Sequence, residues 1–289
     1  MRKKDGSPAN VVEIVTPKKY VLNGLWFGPK RPKRVIIWLH GMGSSLFSKL
    51  SIAQRIVDKN TAVLAFNNRG HAIVSRLRNI KRDRSIRAGT AHERFIDCVD
   101  DIQGAVNFVR RQGVGNIFLA GHSTGCQKAI YWASRTGGRG VKGVILLAPT
   151  SDWWGETMLR GARKIAKVAA VARVLVRRGK EHELLPSSVW HEVLDAQRFL
   201  SLYSLDGAEE IFSYAQPKKN PRALKSVRIP ILVLWAGREE FSDKPAREIK
   251  KWFEKHLRKG KVVIIPRVRH SFRGGERVVA REIRRFIAG

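Results

Sequence analysis

Five residues near the middle of the chain, Gly121-His122-Ser123-Thr124-Gly125, place a serine between two glycines. The apolar stretch NIFLAGHS, which ends at the serine, predicts a strand, and TGCQKAIYWASR after it predicts a helix. In a sharp strand-to-helix turn the middle residue is crowded against the sheet, so its neighbours must be small. A serine that only caps the helix would not require glycines at both offsets. We therefore interpret Ser123 as a nucleophile, with Gly121 and Gly125 giving the turn its room.

A serine hydroxyl is a useful nucleophile only when a base takes its proton and an acid orients the base. The base is expected after the last strand, and of the eight histidines His270 alone combines a late position with a loop after a predicted strand, KVVIIPRV. The acid is expected after the preceding strand, IPILVLWAG, where the chain offers Glu239, Glu240 and Asp243. The spacing favours the adjacent pair, with Glu239 as the acid and Glu240 as its alternative.

The tetrahedral intermediate of acyl transfer needs two N–H donors for its oxyanion. One is expected from the residue after the nucleophile, Thr124. The other is expected from the loop HGMG after the predicted strand RVIIWL, where Gly41 lets the backbone approach closely and Met42 N–H is the predicted donor. His40 and His122 adjoin this site, and we interpret them as residues that frame the backbone.

Strands and helices alternate along most of the chain, which predicts one open, doubly wound, mostly parallel sheet. Asn23-Gly24 predicts a turn inside the second strand-like run, YVLNGLWFGP. After the sixth strand, VKGVILLAP, the alternation stops until IPILVLWAG. We predict that the helical sequence between them is a lid over the carboxyl ends of the strands. The predicted organisation is a core of 1–149 and 228–289 with a lid of 150–227 between the sixth and seventh strands.

Three further features bear on the site. Trp153 and Trp154 follow the sixth strand, where they can either line a substrate pocket or pack inside the lid. The basic stretch from Arg76 to Arg87 can grip a phosphate or form a solvated rim beside the site, and we favour the rim. The sequence has no metal-ligand spacing and no dinucleotide-binding glycine pattern, so we expect neither a metal nor a cofactor.

The chain is strongly basic, with 56 Lys and Arg residues against 24 Asp and Glu and a formal charge of +32. Such a charge can serve nucleic acid, an anionic membrane face or an acidic substrate, or it can be a solvated surface without a dedicated partner. The basic residues are spread along the chain without interleaved aromatic residues, which favours a solvated surface without a dedicated partner and leaves non-specific attraction to polyanions open.

The predicted location is the cytoplasm. No apolar run approaches the roughly 20 residues that cross a bilayer, and the N-terminal segment MRKKDGSPAN has the charges of a signal peptide without its apolar part. The two cysteines make neither a disulfide framework nor a metal cluster. We expect no integral membrane association, and the oligomeric state stays open.

Taken together, these motifs resemble the α/β-hydrolase superfamily. The matching features are the HGMG loop, NRGH after the next strand, the GHSTG elbow, the acid loop and the late histidine, in the order serine, acid, histidine. The chain also resembles a little-characterised branch that includes fungal siderophore esterases, in GHSTGCQKA, LAPTSDWW and AQRFLSLYSLDGAEEIFS. The acid motif of that branch is similar to Asp-Glu-Tyr-Val-Pro, which aligns with EEFSD and supports Glu239, a glutamate where the branch has aspartate.

The sequence favours a serine hydrolase that cleaves carboxylic esters of small or medium acyl groups through an acyl-enzyme. Thioester, lactone or amide hydrolysis and acyl transfer use the same residues and stay open. The resemblance does not extend to siderophores, because lids set substrate choice. The alternative from another class is a basic scaffold that binds nucleic acid or an anionic surface and keeps only a secondary or vestigial active site.

Overall fold

The computed structural model describes residues 8–289, which form ten strands and nine α-helices. The strands are β1 (Ala9–Val15), β2 (Val21–Phe27), β3 (Arg34–Leu39), β4 (Thr61–Phe66), β5 (Ser75–Asn79), β6 (Arg84–Ala88), β7 (Asn116–His122), β8 (Gly143–Leu147), β9 (Ile231–Ala236) and β10 (Gly260–Ile265). The helices are α1 (Leu50–Ile56), α2 (Cys98–Arg111), α3 (Thr124–Thr136), α4 (Asp152–Arg160), α5 (Ala162–Arg177), α6 (Ala196–Tyr203), α7 (Arg222–Ser226), α8 (Ala246–His256) and α9 (Glu276–Ala288).

Eight of the strands form the main sheet, in the order β1-β2-β4-β3-β7-β8-β9-β10. At one edge β1 pairs antiparallel with β2, and β2 pairs antiparallel with β4. The other six strands of the main sheet, β4, β3, β7, β8, β9 and β10, are all parallel to their neighbours in that order. The central strands β4, β8 and β9 are buried along their whole length, which is why they are continuous apolar runs. The prediction of a doubly wound, mostly parallel sheet is confirmed.

Helices cover both faces of this sheet. Successive residues of β3 point to opposite faces, so that Ile36 belongs to one core and Ile37 to the other. The Ile36 core is closed by α1 and α9, through residues such as Ile56 and Ile283. The Ile37 core is closed by α2, α3 and α8, with Val106 among its buried residues. Burial on both faces holds the strand ends rigidly in place.

The segment between β8 and β9, residues 148–230 and called the insertion below, contributes no strand to the main sheet. Its helices α5 and α6 pack around Trp190 and form a core of their own, with Ile165, Ala172 and Phe199 fully or almost fully buried. The last helix, α7, instead packs on α3 of the main domain. The insertion therefore lies where the sequence placed it, after the sixth strand of the sheet, and its division at 150 and 227 stays a prediction.

Four buried charges join the insertion to the main domain. Lys128 Nζ of α3 lies 2.5 Å from Glu93 Oε1, and Arg198 Nη2 of α6 lies 3.0 Å from Glu93 Oε2. Arg198 also pairs with Glu209, and each of the four side chains is at most 1% exposed. Burial alone would raise the pKa of Glu93, but Lys128 and Arg198 hold it at about 2. These residues, called the buried charge quartet, are electrically neutral as a set.

One local prediction was wrong, and one stretch has more structure than was predicted. Asn23 and Gly24 lie inside β2, because the reversal occurs earlier, between Thr16 and Tyr20, where Thr16 O accepts the amide of Lys19 at 2.9 Å. The basic stretch from Arg76 to Arg87 contains an antiparallel hairpin of β5 and β6, and its role as a solvated rim stays a prediction. Leu77 pairs with Ile86 across this hairpin, and these apolar residues carry a strand pattern that the surrounding charges obscured.

Of the basic N-terminal segment, residues 1–7 lie outside the described residues. Across residues 8–289, every helix is too short or too polar to cross a membrane.

Candidate active site

The strand order brings the predicted site residues to one edge of the sheet. Strands β3, β7, β8, β9 and β10 are parallel neighbours in that order, so their carboxyl ends lie side by side. The HGMG loop follows β3, Ser123 follows β7, Glu239 follows β9 and His270 follows β10. Residues far apart in sequence therefore meet along this edge.

Ser123 occupies a strained turn between β7 and α3. Its φ of 54° and ψ of −128° are unusual for a residue with a side chain. The turn is fixed by the Ser123 amide, which donates to Leu147 O at 3.0 Å, and by the Ser123 carbonyl, which accepts from Cys126 N at 2.8 Å. A Cβ at position 121 would overlap the Gly125 carbonyl, and one at 125 would overlap the Leu39 carbonyl. Only glycine fits at either position.

His270 contacts one of the three candidate acids through its ring. Its Nδ1 lies 2.9 Å from Glu239 Oε1, and the Glu239 side chain is 2% exposed. Glu240 accepts the backbone N–H of His270 at 2.8 Å, and Asp243 accepts from Trp154 Nε1 at 2.8 Å. Both glutamates thus hold the histidine loop, but only Glu239 faces the imidazole.

The HGMG loop lies directly against Ser123. A Cβ on Gly41 would come within 3.0 Å of Ser123 Cβ. Thr90 Oγ1 accepts the amide of Gly43 at 2.7 Å, which holds the loop in place. Among residues 8–289, neither Met42 N–H nor Thr124 N–H has a protein acceptor. Two backbone donors are therefore available beside the serine.

His40 and His122 are both buried and hold backbone carbonyls. Burial lowers the pKa of His40 to about 3, and its Nδ1 lies 2.8 Å from the Gly41 carbonyl. Burial, with the nearby charges of Lys49 and His270, lowers the pKa of His122 well below its ordinary value. His122 Nε2 lies 2.9 Å from the His270 carbonyl. Both imidazoles are neutral at physiological pH, and each steadies a loop of the site.

A cavity of about 350 Å³ opens at this edge of the sheet. Ser123 and His270 line it together with Gly41, Met42 and His122. No hydrogen bond joins Ser123 Oγ to the His270 ring among the described residues. Such contacts are often long before substrate binds.

Neither Trp153 nor Trp154 lines the cavity, so of the two roles left open for them the structure favours packing over a substrate pocket. Trp153 packs on the core of the insertion, and Trp154 packs on the main core and donates to Asp243. The reason is how α4 is rotated about its own axis: Asp152, Gly155 and Glu156 face the cavity, and the two tryptophans face away from it.

Sequence reasoning missed the wall that the insertion contributes to the cavity. This wall carries Asp152, Glu156, Glu192 and Tyr203. Asp152 follows a buried strand at the ligand-binding edge of a parallel sheet, and this position alone could have predicted that it lines the site. The other three depend on how the insertion packs, which no local pattern reveals. Within 8–289, no group of three His, Cys, Asp or Glu residues is placed to hold a metal ion.

A family model described as "Protein of unknown function (DUF1749)" matches residues 95–285. No curated protein matches the sequence. Among solved structures, an esterase from Pyrococcus furiosus is similar over 98% of this chain and 91% of its own, with 16% identity and a TM-score of 0.62. Est1E from Butyrivibrio proteoclasticus, solved with ferulic acid bound, is similar over 96% of this chain and 98% of its own, with 17% identity and a TM-score of 0.64.

A dienelactone hydrolase from Anabaena variabilis is similar over 98% of this chain and 97% of its own, with 17% identity and a TM-score of 0.57. At these identities the similarity concerns the fold. The chain has the α/β-hydrolase fold, as its resemblance to that superfamily implied.

Proposed function

Because the chain belongs to the family of proteins of unknown function DUF1749, we propose its function from the site itself: a serine hydrolase that cleaves carboxylic esters. One observation carries the proposal. Ser123, in a strained strand-to-helix turn, shares a cavity with His270, whose Nδ1 lies 2.9 Å from the buried carboxylate of Glu239.

In the first half of the reaction, Ser123 Oγ attacks the acyl carbon while His270 Nε2 takes the hydroxyl proton. The hydrogen bond from Nδ1–H to Glu239 keeps Nε2 free to act as base and stabilises the imidazolium that forms. The N–H groups of Met42 and Thr124 donate to the oxyanion. His270 then returns the proton to the leaving alcohol as its bond to the acyl carbon breaks, and the acyl group remains on Ser123.

In the second half, His270 Nε2 takes a proton from water, and the resulting hydroxide attacks the acyl-enzyme. The same two N–H groups hold the second oxyanion. Collapse of this intermediate breaks the bond from the acyl carbon to Ser123 Oγ, and His270 returns the proton to the serine. The carboxylic acid leaves, and the site is restored.

Esters are the proposed substrates because the structural relatives include a protein described as an esterase and one described as a dienelactone hydrolase. Thioesters, lactones and amides pass through the same intermediates, so the substrate panel should contain them. The narrower resemblance to siderophore-esterase-like hydrolases stays a prediction. We also propose that the insertion acts as the lid, because it supplies one wall of the cavity.

The test pairs fluorophosphonate labelling with chromogenic esters of increasing acyl length. Wild type, Ser123→Ala and Ser134→Ala are compared, since Ser134 lies on the same helix with its hydroxyl bonded to Tyr131 O at 2.7 Å. We expect one label, on Ser123, and loss of both label and turnover in Ser123→Ala alone. A folded wild type that neither takes the label nor cleaves any ester would refute the proposal.

A further inference from the structure

The cavity wall supplied by the insertion is acidic, although the chain as a whole is strongly basic. Asp152, Glu156 and Glu192 all line the cavity that contains Ser123. The chain has 56 Lys and Arg residues against 24 Asp and Glu, so its average composition would not place three carboxylates there. The position of these carboxylates beside the nucleophile makes them candidates for substrate recognition.

Among the described residues, two of the three carboxylates have no cationic partner. Glu156 is paired with Arg160, whose Nε lies 2.9 Å from Glu156 Oε2. Asp152 accepts only from the neutral amide of Gln127, at 2.7 Å. Glu192 accepts from Tyr203 Oη at 2.7 Å and from Trp190 Nε1 at 3.0 Å. Within residues 8–289, no Lys, Arg or His forms an ion pair with Asp152 or Glu192.

The lysine that lines the cavity, Lys49, is held on the histidine loop: its Nζ donates to the Ser271 carbonyl at 2.8 Å, beside His270, and burial lowers its pKa. On the acidic wall, burial and then the charges of Glu192, Asp152 and Glu156 raise the pKa of Tyr203 well above its ordinary value.

Burial, with the charges of Glu209 and Glu210 outside the cavity wall, likewise raises the pKa of Asp152. Arg198 is the charge that opposes this change. Burial and the neighbouring carboxylates thus favour the uncharged form of Asp152, and a cation bound beside it would favour the carboxylate.

We propose that this wall binds the protonated amine of the substrate, so that the preferred esters carry an ammonium group. The inference rests on the proposed hydrolase function and names its substrate class. An ammonium group offers three N–H donors, and the carboxylates of Asp152 and Glu192 offer acceptor oxygens without a competing cation. The rings of Tyr203 and Phe241 line the same cavity and suit a cation as well. An apolar or anionic group would leave the carboxylates desolvated without a counter-charge.

The test uses p-nitrophenyl esters in matched pairs at neutral pH. Glycinate is compared with propanoate, β-alaninate with butanoate, and 6-aminohexanoate with heptanoate, so that each pair exchanges an ammonium for a methyl group. The adipate half-ester serves as the anionic probe. Relative to the ratio of the uncatalysed hydrolysis rates, we expect a preference in kcat/KM of about tenfold for the ammonium member of at least one pair, about 1.4 kcal/mol. High salt should reduce it.

The double variant Asp152→Asn/Glu192→Gln keeps the hydrogen-bond acceptors but removes both acids, and it should bring the ratio within each pair close to the ratio of the uncatalysed hydrolysis rates. The matched control is Glu183→Gln, an exposed glutamate of the insertion paired with Lys180 at 3.0 Å, which should keep the wild-type ratio. Fluorophosphonate labelling of Ser123 is measured on every variant.

The outcomes separate the two proposals. Cleavage of neutral esters with label on Ser123, but without an ammonium preference, overturns this inference and leaves the hydrolase function standing. A preference that persists in the double variant overturns the assignment to these carboxylates. The absence of both label and ester cleavage overturns the hydrolase function, and this inference with it.

Discussion

Replacing Lys128 by Met removes one positive charge from the buried charge quartet and leaves Glu93 with Arg198 as its only cation. The cost can be worked from the structure, because Lys128 Nζ lies 2.5 Å from Glu93 Oε1 and both side chains are 1% exposed. The pKa of Glu93 falls from its ordinary 4.5 to about 2 in the folded protein. That difference corresponds to about 3 kcal/mol of stabilisation of the carboxylate. Breaking a buried ion pair from one side costs about 3–5 kcal/mol, and we expect Lys128→Met to destabilise the protein by this amount.

The assay is equilibrium unfolding in guanidinium chloride, from which the free energy of unfolding in water is obtained by linear extrapolation. Adding Glu93→Gln to Lys128→Met restores neutrality, because Arg198 and Glu209 then balance each other. The double variant should therefore recover at least about 1 kcal/mol over Lys128→Met. Lys250→Met, in an exposed pair of 3.7 Å, is the control and should cost less than about 1 kcal/mol. A loss below 1 kcal/mol for Lys128→Met, or a double variant weaker than Lys128→Met, would show that the quartet does not act as a charge-balanced unit.

Three other predictions follow from the site and its supports. Glu239→Gln should lower kcat on chromogenic esters by about 10³-fold or more, because the imidazole loses its charged partner. The control Glu240→Gln should lower kcat less than tenfold. Equal losses of kcat in the two variants would contradict the assignment of Glu239 as the acid. Gly125→Ala should lower the free energy of unfolding by about 3 kcal/mol or more, since its Cβ overlaps the Leu39 carbonyl; a fully stable, active variant would contradict the tight turn. Because the pKa of Glu93 is lower in the folded chain than in the unfolded one, its contribution to stability is complete above pH 4.5 and disappears as the pH falls toward 2. In Glu93→Gln, the free energy of unfolding should therefore change less over that pH interval than in wild type, and an unchanged slope would contradict this reasoning.

The sequence was sufficient to predict the sheet and the arrangement of residues at its edge. Buried parallel strands are continuous apolar runs, so their order and the loops after them could be read directly. The turn at Ser123 was predictable because a side chain at position 121 or 125 would overlap neighbouring backbone carbonyls, so both positions require glycine. The position of His270 followed from the order of the strands, which fixes what meets at the carboxyl edge.

The parts that the sequence did not predict depend on packing between distant segments. Which way Trp153 and Trp154 point depends on how α4 is rotated about its axis. A helical pattern with large residues on every side does not determine that rotation. The pairing of Arg198 with Glu93 and Glu209 could not be predicted from the sequence either. These residues are distant from one another or on separate elements, and nothing in their spacing distinguishes them from the many other charged residues. The hairpin from Arg76 to Arg87 was missed because strand propensity is weak where charges dominate.

The buried charge quartet bears on any exchange of insertions between relatives of this chain. A graft that replaces α6 alone removes Arg198 but keeps Glu209, so Lys128 would face two buried glutamates and the junction would carry one excess negative charge. Chimeras that transplant the insertion together with positions 93 and 128 keep the junction neutral. The module for recombination is therefore the insertion plus these two anchor points, and it is not contiguous in the gene.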